Sequence, residues 1–304
     1  MLDPGRGRTK TGQLWAYARD DRPFGGADPP IAVYVYAQNR KAEQPLAHLA
    51  GFAGVVQVDG YAGYRALARK NSVQLAFCWS HVRRRFYELA AAGPAPIAAQ
   101  ALERIGALYA VEKDIRGRNP DERRAARQEN SRPIVDALEA WLREKLALIS
   151  QKTKLAEAIR YALSRWDGLT RFIDDGRIEI DSNVVERAIR PIALNRKNAL
   201  FAGSDGGAEN WAIVASLIET CKLNAIDPHT YLADVLSSLV NLWPNARLDD
   251  LLPWNWIAAR DTCNALPEPP APPAPHVKPP AQGGGSTAYI FNTIGQSLPT
   301  QSRR

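Results

Sequence analysis

The stretch "GQLWAYARDDRPFGGADPPIAVYVYAQNR", residues 12–40, sets the fold. Its two ends, 12–21 and 31–40, are runs of β-branched and aromatic residues, which suit a pleated, half-buried surface. The turn-rich "RPFGGADPP" between them is long enough to let two strands pair antiparallel. Working outward, "KAEQPLAHLAGF" (41–52) reads as a short helix, and "GVVQVDGY" (54–61) as a more buried strand that ends at Asp59. A second short helix, "YRALARK", leads into the strand "VQLAFCW" (73–79). "SHVRRRFYELAAAG" (80–93) reads as a helix with Ser80 at its N-cap and Gly93 at its stop. Val82, Phe86, Leu89 and Ala90 make its buried stripe, while Arg83, Arg84 and Arg85 lie largely off it. The order β-β-helix-β-helix-β predicts an α/β core built on a mixed sheet.

From about 94 to 175 the apolar period becomes helical throughout, at Leu102, Ile105, Leu108 and Tyr109, then at Leu138, Trp141, Leu142 and Leu146. Between these rows, "VEKDIRGRNPDERRAARQENSR" is densely charged and broken by Gly117 and Pro120. It reads as a solvated connection within an α-helical hairpin. A helical return follows from 182 to about 241, with "DPHTYLADVLSSL" opening on the Asp227–Pro228 start signal. The segment 267–286 is Pro-rich, then Gly-rich, and is expected to be a disordered linker. Four parts are expected: 1–93 and 176–262 as two portions of one core, 94–175 as an all-α insertion, and 263–304 as a Pro/Gly-rich disordered tail.

The chain has 304 residues, 45% of them hydrophobic, enough to bury an ordinary core and to exclude global disorder. A formal net charge of +7 favours an anionic partner, nucleic acid first. Three scattered cysteines do not make a disulfide framework and fit a reducing cytoplasm. No apolar run reaches about 18 residues, so no membrane span and no membrane partner are expected.

Two carboxylates carry the candidate chemistry. Asp59 stands at a strand end, where α/β proteins bind ligands, although an acid before Gly60 also caps turns. Glu186 lies in "IEIDSNVVERAIRPIALNRKN" (178–198) among Arg187, Arg190, Arg196 and Lys197. With 182–193 helical, Val185, Ala188, Ile189 and Ile192 face the core, and Glu186 shares a neighbouring row with Arg190 and Lys197. One reading is an i, i+4 pair of Glu186 with Arg190, worth a few tenths of a kcal/mol. The other is a carboxylate held among cations because its substrate is polyanionic. Pro191 is expected to kink this helix. Asp59 and Glu186 together offer the oxygen ligands that Mg²⁺ (or Mn²⁺) takes, and such ions activate nucleophiles at phosphates.

At these residues the sequence resembles a known family. "LDPGRGRTKTGQLWAYARDDRPFGGADPP", "VVQVDGYAGYRAL", "FCWSHVRRRFYEL" and "IEIDSNVVERAIRPIALNRKNALFAGSDGGAENWAIVASLIETCKLNAIDPHTYLADVL" are similar to the transposases of the insertion sequence 66 family. The resemblance covers most of residues 2–262. It implies an RNase H-like core, a mixed sheet flanked by helices, carrying a DDE triad with an α-helical region before its Glu. Carried over, Asp59 corresponds to the second Asp and Glu186 to the Glu. They would act with Mg²⁺ or Mn²⁺ to cleave transposon ends and join them to target DNA. Arg190, Arg196 and Lys197, with Arg83 and Arg84, become candidates for DNA-backbone contacts.

The resemblance also sets what is expected to be absent. The family's first Asp lies on a strand just before "LDPG", and this chain starts inside that motif, so the first strand and its Asp are expected to be missing. On that expectation the chain is a DDE catalytic domain that is inactive alone. The alternative is a non-catalytic DNA-binding remnant that associates with itself or with an intact transposase. Either would sit in the cytoplasm, at the nucleoid. Cys78-x-x-His81 recurs in several DDE groups; as zinc ligands the pair would need further partners, and a structural role beside the site is the other reading. The two glycines of "FAGSDGGAEN" (201–210) would let amides approach a phosphate, or simply form a turn.

Overall fold

The computed structural model describes residues 11–70, 72–195, 202–256, 286–292 and 298–299. Strands β1 (Thr11–Arg19) and β2 (Ile31–Ala37) pair antiparallel, from Gln13 opposite Ala37 to Arg19 opposite Ile31. The turn between them includes a 3-10 turn at Arg22–Phe24 closed by Gly25, whose φ of 73° needs a glycine-like backbone. Helix α1 (Glu43–His48), strand β3 (Gly54–Val58), helix α2 (Tyr64–Lys70) and strand β4 (Val73–Phe77) follow. Strands β3 and β4 run parallel, as expected of strands joined through a helix. The expected α/β class and mixed sheet are present.

Alternation along β1 separates two buried layers. Leu14, Ala16 and Ala18 pack on one face against Val184, Val185, Ile189 and Ile192, and Trp15 packs on the other with Val56, Val58, Tyr64 and Leu67. Period-2 alternation on a two-sided sheet is what lets a single strand feed both layers. Helix α3 (Trp79–Ala91) opens a third cluster with α4 (Pro96–Asp114), α6 (Arg132–Leu148), α7 (Lys154–Leu163) and α8 (Trp166–Thr170), while α5 (Pro120–Ala126) lies between α4 and α6 in the chain. Helices α9 (Asn183–Asn195), α10 (Asp205–Leu223) and α11 (Pro228–Val240) complete the chain up to Trp256. Asp227 caps α11 through Thr230 N, with Pro228 in its first turn, as its start signal predicts.

The sheet order is β2-β1-β5-β3-β4, where β5 is Ser286–Asn292, and β6 (Leu298–Pro299) pairs with the start of β1. Strand β5 runs antiparallel to β1 and parallel to β3, from Gly54 opposite Ser286 to Val58 opposite Ile290. The central place in the sheet is therefore taken by part of the tail expected to be disordered. Without β5, β1 and β3 would each present a row of unpaired backbone groups inside the sheet, which is costly. The expected linker residues 267–285 lie outside the described residues.

Other expectations are corrected. Helix α3 begins at Trp79 with Cys78, not Ser80, at its N-cap, and Ser80 Oγ instead lies 3.2 Å from Tyr109 Oη. Pro191 lies inside α9, which continues beyond it to Asn195. The stretch expected to be a solvated connection is largely exposed, but two of its arginines are anchored in the interior. Arg123 and Arg127 are 1% and 0% exposed. Arg127 donates through Nε and Nη2 to the two oxygens of Glu112, at 2.7 Å each, and to the carbonyls of Phe172 and Asp175. Arg123 pairs with Glu179 and, at 3.4 Å, with Glu112. Charge density misled the reading because a guanidinium supplied with carboxylates and carbonyls can be buried.

Candidate functional site

Asp59 follows β3, and its Oδ1 accepts the Tyr61 N–H at 3.0 Å, the local turn that an acid before Gly60 favours. Gly60 has a φ of 90°, and a Cβ there would lie 2.8 Å from Arg165 Nε, so the turn requires glycine. The Tyr161 hydroxyl donates to the Asp59 carbonyl at 3.2 Å, and Arg165 donates to that of Gly60 at 3.3 Å. These bonds from α7 and the turn after it fix the strand end. Asp59 is 7% exposed, and its Oδ2 has no hydrogen-bond partner among the described residues. Burial pushes its pKa above the usual carboxylate value, against the opposing pull of the Tyr61 N–H, His81 and Arg40.

Glu186 lies in the first turn of α9 and is half-buried. The four positions expected to face the core, Val185, Ala188, Ile189 and Ile192, are all buried. Ser182 Oγ donates to Glu186 Oε1 at 3.4 Å, and His81 Nδ1 lies 3.7 Å from the same oxygen. The i, i+4 ion pair with Arg190 does not form among the described residues. Glu186 turns toward α3 while Arg190 stays exposed. Arg83 and Arg84 are exposed as expected, and Arg85 stacks over Tyr161 at 3.9 Å. Arg196 and Lys197 lie outside the described residues.

His81 lies beside Glu186 and is influenced by both carboxylates. Burial lowers its pKa first, Glu186 and Asp59 pull it back up, and Arg84 and Arg85 push it down. Both carboxylates thus act on His81, which sits on a helix whose exposed face carries Arg83 and Arg84. Cys78 is buried, and its Sγ accepts the Ser182 N–H at 3.3 Å. One ligand atom each from Cys78, His81 and Glu186 lie within 4.8 Å of one another.

Several neighbours were not singled out from the sequence. Asp181 accepts from Asn183 through its N–H and its side-chain amide, and burial raises its pKa. Its place before the apolar run of α9 is the ordinary sign of a helix start. Arg40, Tyr109, Tyr161 and Arg165 reach the site through tertiary packing, and no local pattern marks them. In "FAGSDGGAEN", Ser204 caps α10 through Gly207 N, and a Cβ at Gly207 would meet the Ala202 carbonyl at 2.2 Å. Gly207 therefore serves the helix start, whereas a Cβ at Gly206 would meet only Ser204 Oγ at 4.0 Å.

Comparison with known proteins bears on this arrangement. The Transposase IS66 family matches residues 1–210, and the IS66 C-terminal element matches residues 216–254. Two similar proteins of Sinorhizobium fredii (strain NGR234) are the uncharacterized proteins y4qI and y4jD. The first is 48% identical over 263 residues, covering 84% of this chain and 49% of the relative. The second is 44% identical over 264 residues, covering 84% of this chain and 52% of the relative. The chain spans about half the length of these relatives. No solved structure matches. With both family elements present in order along the described core, the chain belongs to the IS66 transposase family.

Proposed function

We propose that the chain carries part of a DDE-type phosphodiester-transfer centre on an RNase H-like sheet. Asp59 and Glu186 are its second and third carboxylates, and transposon-end and target DNA are its substrates. The observation that carries this reading is Asp59 Oδ2, a buried carboxylate oxygen with no hydrogen-bond partner among the described residues, at the end of a sheet strand. Such an atom is costly unless a ligand completes it. Asp59 and Glu186 are oxygen donors that fit Mg²⁺ or Mn²⁺. When bound, the ion supplies activation of an attacking oxygen and stabilisation of the leaving one at phosphorus. The chain's own groups do the rest. The Tyr61 N–H and the bonds from Tyr161 and Arg165 hold the Asp59 turn, and Ser182 and His81 face Glu186. The exposed Arg83, Arg84 and Arg190 offer charge to the DNA backbone without reading sequence. The helices between α3 and α9 form the all-α insertion of this reading, and the molecule acts at the nucleoid.

A second reading, a non-catalytic DNA-binding form, is favoured by strand β5. Between β1 and β3 it brings Ser286, Thr287, Ala288, Tyr289, Ile290, Phe291 and Asn292, none of them acidic. One pair of measurements tests both. Mn²⁺ binding, followed by electron paramagnetic resonance, is expected in the native chain and weakened in both Asp59→Asn and Glu186→Gln. Binding that neither substitution alters refutes the assignment of the two carboxylates. Mg²⁺-dependent nicking of transposon-end DNA separates the readings: nicking lost in Glu186→Gln supports the catalytic form. Ion binding without nicking supports the second.

A further inference from the structure

The sequence offers Cys78 and His81 as a pair short of partners, and the fold brings a third donor to them. We propose that Cys78, His81 and Glu186 form a site for one zinc-like divalent ion, which ties the start of α3 to the start of α9. The inference does not rest on the DNA-cleaving reading, because it follows from the donor set and its anchoring.

The donors sit on two segments that are already fastened together. The Trp79 N–H donates to the Ile180 carbonyl at 3.1 Å, the Ser182 N–H to Cys78 Sγ at 3.3 Å, and Ser80 Oγ to Asp181 Oδ2 at 3.4 Å. An amide aimed at a cysteine sulfur steadies the thiolate that a metal requires, as outer-shell bonds around metal ligands do. Cys78 is 3% exposed, and the side chains of His81 and Glu186 are 15% and 22% exposed. The set is thus sheltered, with solvent reaching the carboxylate side. In a tetrahedral site with bonds of about 2.0–2.3 Å, neighbouring ligand atoms lie about 3.3–3.8 Å apart. The 3.7 Å between His81 Nδ1 and Glu186 Oε1 falls in that range. The largest separation in the set, within 4.8 Å, closes with side-chain shifts of about 1 Å.

Sulfur and imidazole nitrogen select a borderline-soft ion. Mg²⁺ takes oxygen ligands and is disfavoured here. Three protein donors leave a fourth position for water, the pattern of an open zinc site. Binding exchanges the Cys78 thiol proton for the metal, so one proton passes to solvent for each ion bound. The ion would join two segments separated by the whole run of helices α4 to α8. Glu186 is shared with the magnesium reading, and a carboxylate with two oxygens can bridge two ions.

Cobalt(II) is the probe, because a thiolate ligand gives it a charge-transfer band that oxygen and nitrogen ligands do not. The native chain is expected to take up cobalt stoichiometrically with that band, and zinc to displace it. Cys78→Ser should lose the band, while Cys221→Ser and Cys263→Ser keep it. His81→Asn and Glu186→Gln should each weaken cobalt binding at least about ten-fold. These two keep the test decisive if Cys78→Ser does not fold. Asp59→Asn should leave the cobalt spectrum unchanged, so a failure of the magnesium reading stays distinguishable from a failure of this one. Absence of the band in the native chain, or a band indifferent to Cys78, His81 and Glu186, overturns the proposal.

Discussion

Replacing Arg127 with Ala tests whether the buried ion cluster, rather than the apolar packing around it, anchors the helices that precede α9. The guanidinium is 0% exposed, and the substitution removes two 2.7 Å bonds to Glu112, one of 2.8 Å to Phe172 O and one of 3.2 Å to Asp175 O. The Glu112 side chain, 9% exposed, is left among the described residues with Arg123 at 3.4 Å. Stranding a buried charge in this way costs about 3–5 kcal/mol. At about 2–4 °C per kcal/mol for domains of roughly 150–250 residues, the melting temperature should fall by roughly 6–20 °C. Arg143→Ala is the control: its i, i+4 pair with Glu139 is solvated and is worth about 0.3–0.5 kcal/mol. The double variant Arg127→Met/Glu112→Leu should recover most of the loss, since an apolar replacement of a whole buried pair is often neutral or stabilising. Thermal denaturation followed by circular dichroism reads all three. An Arg127→Ala shift no larger than that of Arg143→Ala would refute the argument. So would a double variant as unstable as the sum of its single changes.

Two further outcomes follow from the sheet and the strand end. Burial raises the folded-state pKa of Asp59, so the folded state binds its proton more tightly than the unfolded chain. The cost of the ionised carboxyl is absent below the unfolded pKa, grows as pH rises toward the folded pKa, and is complete above it. Asp59→Asn should therefore raise the melting temperature at neutral pH, with the gain vanishing as pH falls through that window; a variant less stable than the native chain at neutral pH counts against the sign. Ile290→Pro places a residue without an N–H in the middle of β5, between β1 and β3, and should cost about 1–3 kcal/mol through the ladder bond it removes. Amide exchange of β1 and β3 should then rise together, whereas unchanged protection would mean that β5 does not bind the two halves of the sheet.

How much was legible depends on how local the signal is. The hairpin of β1 and β2, the α2–β4 unit and the buried face of α9 follow from alternation and helical period, which short stretches carry by themselves. The candidate site was legible only as separate residues: Asp59 at a strand end and Glu186 on an amphipathic helix. The Glu186–Arg190 pair, one of the two readings of that helix, does not form because helical spacing places two side chains near each other without fixing where each one turns. Arg123 and Arg127 were misread for the same reason. Composition registers charge, and the carboxylates that make burial tolerable come from Glu112 and from Glu179, more than fifty residues beyond Arg123.

The sequence by itself determined the α/β class, the order of the first strands and helices, and the membership of the chain in a transposase family. The tertiary structure alone decided three things. It put β5 into the centre of the sheet, because open backbone groups on β1 and β3 demand a partner wherever in the chain one lies. It took Arg123 and Arg127 of the largely exposed charged run 111–132 into the interior, because guanidinium groups go inside when oxygen acceptors surround them. And it brought His81 and Cys78 to Glu186, joining residues that chain distance separates and that meet only where the start of α3 is bonded to the segment entering α9.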